Sequence, residues 1–256
     1  MANKGTKQGC DEEIELVQKL NSNKNSALWA RINLAENKNY YAVRCTKYQH
    51  SSVSNQKVLP KTDIFIIKSL DLIHLDDYYL DEHMLDTQKI IYTYVLNSGI
   101  SVKEKKSTSY TYQKMTIETF CKIFGNYELG CAIEYYTSKN DSNKNLILET
   151  AWHTNKVNII QVINTLAKEY NYSNDLQLDN DQNIKRTAIK LTQHIINNNS
   201  TISDFIFKGI GAFQNPYYAL FIYKGEQMYL NDIPKNYSIT SGSGRTNGVY
   251  TVVIKP

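Results

Sequence analysis

The period of the apolar positions changes along the chain, and each change marks an element. Ile14, Val17 and Leu20 recur at helical spacing, which predicts a short helix over 10–21. Glu12, Glu13 and Glu15 fill its first turn, where negative charge suits the helix dipole. A second helix is predicted over 26–36, with Leu28, Trp29, Ile32 and Ala35 inward. Alternation from Tyr40 to Tyr48 predicts a strand, and the polar stretch from His50 to Lys61 a loop. From Asp63 to Lys68 the run Ile64-Phe65-Ile66-Ile67 has no polar alternate, which predicts a strand buried on both faces. An acidic insertion follows over 69–88, in which Leu72, Leu75 and Tyr79 at helical spacing predict an amphipathic segment with a solvated acidic face. Residues 89–96 and 100–105 read as a hairpin turning at Asn97-Ser98-Gly99.

A helix is predicted from Met115 to Phe124, stopped by Gly125-Asn126. Its core stripe is either Ile117, Cys121 and Phe124 or Phe120 and Ile123. Residues 140–145 read as a loop, and Asn158 to Tyr170 and Ile184 to Ile196 as amphipathic helices. From Phe205 onward the pattern predicts strands at 205–209, 217–223, 227–230, 236–240 and 249–255. The class expected is α/β (α+β): a central mixed β-sheet flanked by helices, with C-terminal β-hairpins. A length of 256 residues fits a single domain, 1–256. Within it a catalytic core is expected over about 1–135, and a helical segment with the hairpins over about 136–256.

Composition narrows the partners. The net charge is +4 and all but four of the 29 cationic residues are lysine, a mild balance that suits contact with a polyanion. An AT-rich coding sequence would enrich lysine, asparagine, isoleucine and tyrosine in the same way. Cys10, Cys45, Cys121 and Cys131 form no C-x-x-C pair, which argues against a zinc knuckle. The polar N-terminus and the absence of a membrane-length apolar run predict a cytoplasmic protein with reduced thiols and no membrane partner.

The candidate chemistry is split along the chain. Asp63 sits at the mouth of a strand, and Ser101 and Lys103 lie two apart, on one face of a later strand. Glu118 follows on the next helix. Asp63 and Glu118 can give oxygen ligands to a hard divalent cation, with magnesium expected, and Lys103 can orient an attacking water. Serine is a poor ligand, so the strand is one carboxylate short and Glu118 is expected to fill the gap. Glu13 is a further metal-ligand candidate, with a surface acid as the plainer reading. Lys105, Lys106 and Thr111 belong to a basic, hydroxyl-rich stretch suited to phosphates. The tip Thr240-Ser241-Gly242-Ser243-Gly244-Arg245 offers hydroxyls and an arginine able to read guanine in the major groove.

Pro60-Lys61-Thr62-Asp63, with Ser101-Val102-Lys103 on a later strand and Thr116-Ile117-Glu118-Thr119 beyond a polar linker, resembles the PD-(D/E)xK restriction endonucleases, most closely the MspI kind. The resemblance covers the middle of the chain and the C-terminal tail, the first helix weakly and residues 126–200 hardly at all. It implies a restriction-endonuclease-like core, with Asp63, Ser101, Lys103 and Glu118 in the catalytic centre and Ser241, Ser243, Arg245 and Lys255 in a base-reading tail. It further implies double-stranded DNA as substrate, a short palindromic site, Mg2+ as cofactor, and a cognate DNA methyltransferase acting on the same site. Monomer and homodimer both fit. Two departures stand out: serine replaces the strand acid, and about twenty extra residues separate Asp63 from Lys103. Readings from other classes are a non-catalytic nucleic-acid-binding β-rich protein and a repair or recombination nuclease of the same fold.

Overall fold

A computed structural model of the protein describes residues 4–24, 26–34, 39–105, 110–138, 141–172 and 177–256. In chain order these form α1 (Lys4–Ser22), α2 (Ala27–Arg31), β1 (Tyr40–Arg44), β2 (Gln49–His50), β3 (Lys57–Val58), β4 (Ile64–Ser69), α3 (Glu82–Thr87), β5 (Tyr92–Tyr94), β6 (Ile100–Lys103) and β7 (Gln113–Thr116). Next come α4 (Ile117–Phe124), α5 (Tyr127–Glu134), α6 (Ser142–Ala151), α7 (Lys156–Glu169), α8 (Asp181–Asn198) and α9 (Ser200–Lys208). The chain closes with β8 (Phe221–Lys224), β9 (Gln227–Leu230), β10 (Ser238–Ser241) and β11 (Thr251–Lys255). It divides into two compact units, Met1–Thr108 with Asp204–Ile233, and Ser109–Ser203 with Pro234–Pro256. No helix among the described residues is long and apolar enough to cross a membrane.

The first unit is built on a mixed sheet ordered β1-β4-β6-β8-β9, with β5 also paired to β4. Its neighbours are antiparallel except β6 and β8, which run parallel. Side chains alternate across a strand, so β4 serves two cores at once. Ile64 and Ile66 pack with Leu16, Val17 and Leu20 of α1 and with Leu28 and Trp29 of α2. Phe65 and Ile67 pack with Tyr41, Val43, Leu80, Leu85 and Tyr217 on the other face. All four β4 side chains are fully buried, as the unbroken apolar run predicts. Each contributes about 1.5–3 kcal/mol by leaving water.

The second unit holds an antiparallel sheet ordered β10-β11-β7 and the helices α4 to α8. Helix α5, to which the apolar pattern gave no assignment, packs against α4, α6, α7 and α8. Residues 129–134 are all buried there, so no amphipathic stripe marks it. Thr116 caps α4 by accepting the Thr119 N–H, and Gly125 ends it in the left-handed region. Phe120 and Phe124 are its buried pair, one from each of the two stripes considered.

Several expectations fail for identifiable reasons. Helix α1 starts well before residue 10, and Leu16 replaces the half-buried Ile14 in its core stripe. Helix α2 is little more than one turn, and Ala35 lies outside the described residues. The acidic insertion is no amphipathic helix: Asp77 and Tyr78 take positive φ, Leu72 is exposed, and only α3 is helical within it apart from a single 3-10 turn. Residues 142–145, read as loop, open α6. Residues 205–208, read as strand, end α9, because Phe205, Ile206 and Phe207 are buried together and a short apolar run carries no period.

The hairpin expected over 89–105 does not form. Strands β5 and β6 both pair with β4, as two pieces of one interrupted neighbour. Continuing the β5 register from Ile67–Tyr94 would set Ile64 opposite Asn97, yet Ile64 pairs with Ile100. The three extra residues form a bulge, and the Ser98 hydroxyl repairs the ladder by accepting the Ile66 N–H at 3.0 Å while donating to the Val95 carbonyl at 2.7 Å. Gly99 ends the bulge where no side chain fits: a Cβ would lie 1.9 Å from the Tyr218 carbonyl oxygen and 2.3 Å from the Thr62 hydroxyl. Gly99→Ala is therefore expected to cost about 3 kcal/mol or more in urea unfolding, by forcing β6 away from β4 and the Tyr218 backbone. Wild-type stability in that variant would contradict this packing.

Candidate active site

Asp63 is the last residue before β4, and Ser101 and Lys103 lie on the adjacent strand β6. The bulge and Gly99 set this register, so the three side chains converge. The Ser101 hydroxyl donates to Asp63 Oδ2 at 3.1 Å, and the Val102 N–H donates to the same oxygen at 2.7 Å. Lys103 Nζ donates to Ser101 Oγ at 2.5 Å. Serine thus links carboxylate and ammonium in one hydrogen-bonded line.

Asp63 shares a cleft of about 490 Å³ with Glu13, Arg44, Cys45, Tyr48 and Leu59. Burial pushes its carboxyl above the usual range, against Lys103, the Val102 N–H, Ser101 and Arg44, which all favour the charged form. Glu13 is raised as well, first by burial and then by repulsion from Asp63, with Arg44 and Lys103 opposing. Arg44 Nε donates to Glu13 Oε2 at 2.8 Å. Two mutually repelling carboxylates on one cleft wall suit a hard divalent cation, which takes one or two carboxylates and fills its shell with water and phosphate oxygens. Among the described residues no three His, Cys, Asp or Glu side chains gather as a metal-holding group.

A second lysine lies near enough to be influenced by Lys103. Lys61 donates through Nζ to the Ile206 carbonyl. Burial, and then repulsion from Lys103, lower its pKa to about 7. Neither Lys61 nor Arg44 was singled out from sequence. Lys61 stands inside the Pro60–Asp63 signature, whereas nothing in the sequence around Arg44 distinguishes it.

Glu118 belongs to the second unit, where it pairs with Lys122 at 3.4 Å across one turn of α4 and stays 59 % exposed. The first unit assembles its two carboxylates without it. Lys105 donates its backbone N–H to Glu12 and reaches Glu226 at 3.5 Å through Nζ. Lys106 lies outside the described residues. In the second unit Thr111, Ser243 and Lys255 are exposed, while Ser241 is half-buried beside Val252 on β11. Arg245 is not extended from a hairpin tip: its guanidinium stacks 3.9 Å over the Tyr136 ring and donates to the Glu134 carbonyl. No protein-family model matches the chain, and no curated protein matches it.

The Glu134 side chain beneath that arginine is fully buried, and neither carboxylate oxygen has a hydrogen bond of normal geometry. Burial raises its pKa to about 7, against weaker opposing influences from the Thr251 backbone, Arg245, Lys185 and Trp152. A carboxyl raised in the folded state stabilises it fully below the unfolded pKa, and the contribution is lost as pH rises toward 7. Glu134→Gln is therefore expected to match wild type near pH 5 and to exceed it by roughly 2–3 kcal/mol at pH 8. Trp152 fluorescence in a Trp29→Phe background reads the second unit, and parallel pH profiles would refute the assignment.

Proposed function

We propose that the protein is a metal-dependent deoxyribonuclease of the PD-(D/E)xK kind, whose first unit hydrolyses phosphodiester bonds in double-stranded DNA. The observation that carries this reading is the hydrogen-bonded line Asp63–Ser101–Lys103, whose Asp63 end lines a cleft. The order of elements also supports it. Within the first unit the sheet runs helix, three antiparallel strands β1, β4 and β6, then the end of α9 and the parallel strand β8. This succession fits a restriction-endonuclease-like core, with most of the second unit inserted between β6 and β8 and the rest following β9.

Asp63 and Glu13 would hold magnesium, which when bound polarises a phosphoryl oxygen and offsets charge developing on the leaving oxygen. Both hydrogen bonds to Asp63 end on Oδ2, which leaves Oδ1 for a ligand. Ser101 replaces the strand acid by fixing Lys103 relative to Asp63. Lys103 then orients the attacking water and favours its deprotonated form. Site-specific cleavage at a short palindromic sequence is the finer form of this proposal. The second unit would supply contacts to DNA, and a cognate methyltransferase would protect the host sequence.

Digestion of a plasmid of known sequence in Mg2+ tests both levels. Discrete fragments are expected, and a chelator abolishes them; a smear removes site specificity, and intact DNA in both Mg2+ and Mn2+ removes the nuclease. Asp63→Asn, Lys103→Ala and Glu13→Gln should each slow cleavage about a thousandfold, on the order of 4 kcal/mol in barrier. Glu118→Ala should cleave at the wild-type rate; a loss as deep as that of Glu13→Gln would restore the helix glutamate as the second ligand. DNA binding, measured without metal, is expected to weaken steeply with salt as counterion release predicts, and a flat response would argue against phosphate contacts by lysine.

A further inference from the structure

The acidic insertion takes no part in the catalytic centre, yet it reaches the group that holds Glu13. The bond from Arg44 Nε to Glu13 Oε2 joins β1 to α1. The insertion meets Arg44 at a β-bridge to Asp81, and Tyr79 lies near enough to favour the charge of the guanidinium. Tyr79 donates its hydroxyl to Asp81 Oδ2 at 3.1 Å, and Asp81 Oδ1 accepts the Met84 N–H at 2.8 Å as the cap of α3. Three further bonds tie these segments: the Arg44 N–H donates to the Leu80 carbonyl at 2.9 Å, and the Asn21 side-chain amide donates to the Tyr78 and Ala42 carbonyls at 3.2 Å and 3.0 Å. All these residues belong to the first unit. A long glutamate on a helix has several rotamers, and a ligand left among them loses ordering free energy on metal binding.

We propose that Arg44 is a positioning residue that fixes Glu13 for metal binding, and that Tyr79 and Asp81 of the acidic insertion hold Arg44 in place. The inference rests on the nuclease reading only in taking Glu13 and Asp63 as the ligands. Arg44 acts by geometry, since its charge alone would repel a cation and weaken binding. The two effects therefore have opposite signs, which makes the role measurable.

The test titrates the full-length protein with Mn2+ alone, without DNA, and follows free Mn2+ by electron paramagnetic resonance. Arg44→Met should weaken Mn2+ binding about 10–100-fold, the usual cost of losing a group that orients a ligand. Arg44→Lys keeps the charge but loses the planar donor and should fall between Arg44→Met and wild type. Tyr79→Phe should weaken binding roughly threefold to tenfold with the fold intact, and it carries the test if Arg44→Met fails to fold. The inference is overturned if Arg44→Met binds Mn2+ as tightly as wild type or more tightly, or, should that variant not fold, if Tyr79→Phe leaves the affinity unchanged. A wild-type protein that binds Mn2+ but leaves DNA intact sinks the nuclease reading, while the variant series still decides the role of Arg44. A wild-type protein that binds no Mn2+ overturns both.

Discussion

Burial of β4 on both faces is the constraint on which the first unit depends. Four consecutive side chains at zero exposure leave the strand no freedom to slide or flip, because a one-residue slip would exchange its two cores. Asp63 enters the site as the residue immediately before that fixed strand. Its position is therefore inherited from packing, and its own hydrogen bonds to Ser101 and Val102 follow from it. The same holds for Ser101 and Lys103, which are carried by β6, held between β4 and β8.

The interrupted edge beside β4 shows how the register is tuned. An uninterrupted strand continuing β5 would set residue 97 opposite Ile64 and move Ser101 and Lys103 past Asp63. The bulge adds three residues, Ser98 repairs the ladder, and Gly99 admits the Tyr218 backbone at a distance no side chain tolerates. Bulges beside active sites re-aim side chains in this way. The acidic insertion between β4 and β5 is likewise a supporting element: its Asp81 caps a helix and its Leu80 carbonyl accepts the Arg44 N–H.

Electrostatics in the cleft are set by burial. Asp63 has a lysine, a backbone N–H, a serine hydroxyl and an arginine all favouring its charge, and desolvation still raises its pKa. Glu13 is raised by burial and by Asp63 itself. A site in which two carboxylates resist ionisation gains most from a cation that neutralises both. The arrangement is one of latent charge, in which each acid is held close to its neighbour by groups too weak to offset burial completely.

Local pattern was sufficient for some of this molecule. The unbroken run Ile64–Ile67 determined a doubly buried strand, and the spacing of Ser101 and Lys103 determined their common face. Lys224-Gly225-Glu226 determined the turn of the β8–β9 hairpin, where Gly225 and Glu226 both take positive φ. Helices α7 and α8 were legible from their apolar stripes, whereas α5 was not, because a helix buried nearly all round shows no period. What no local pattern could decide was which distant segments meet. Residues 89–105 have good hairpin chemistry, but both strands pair with β4 rather than with each other. Glu13 and Glu118 are both carboxylates on helices, and only the sheet order, which brings α1 against β1 and β6, sets Glu13 in the cleft with Asp63. Arg44 gave no signal at all, since a positioning role exists only once helix, strand and insertion have packed around one side chain.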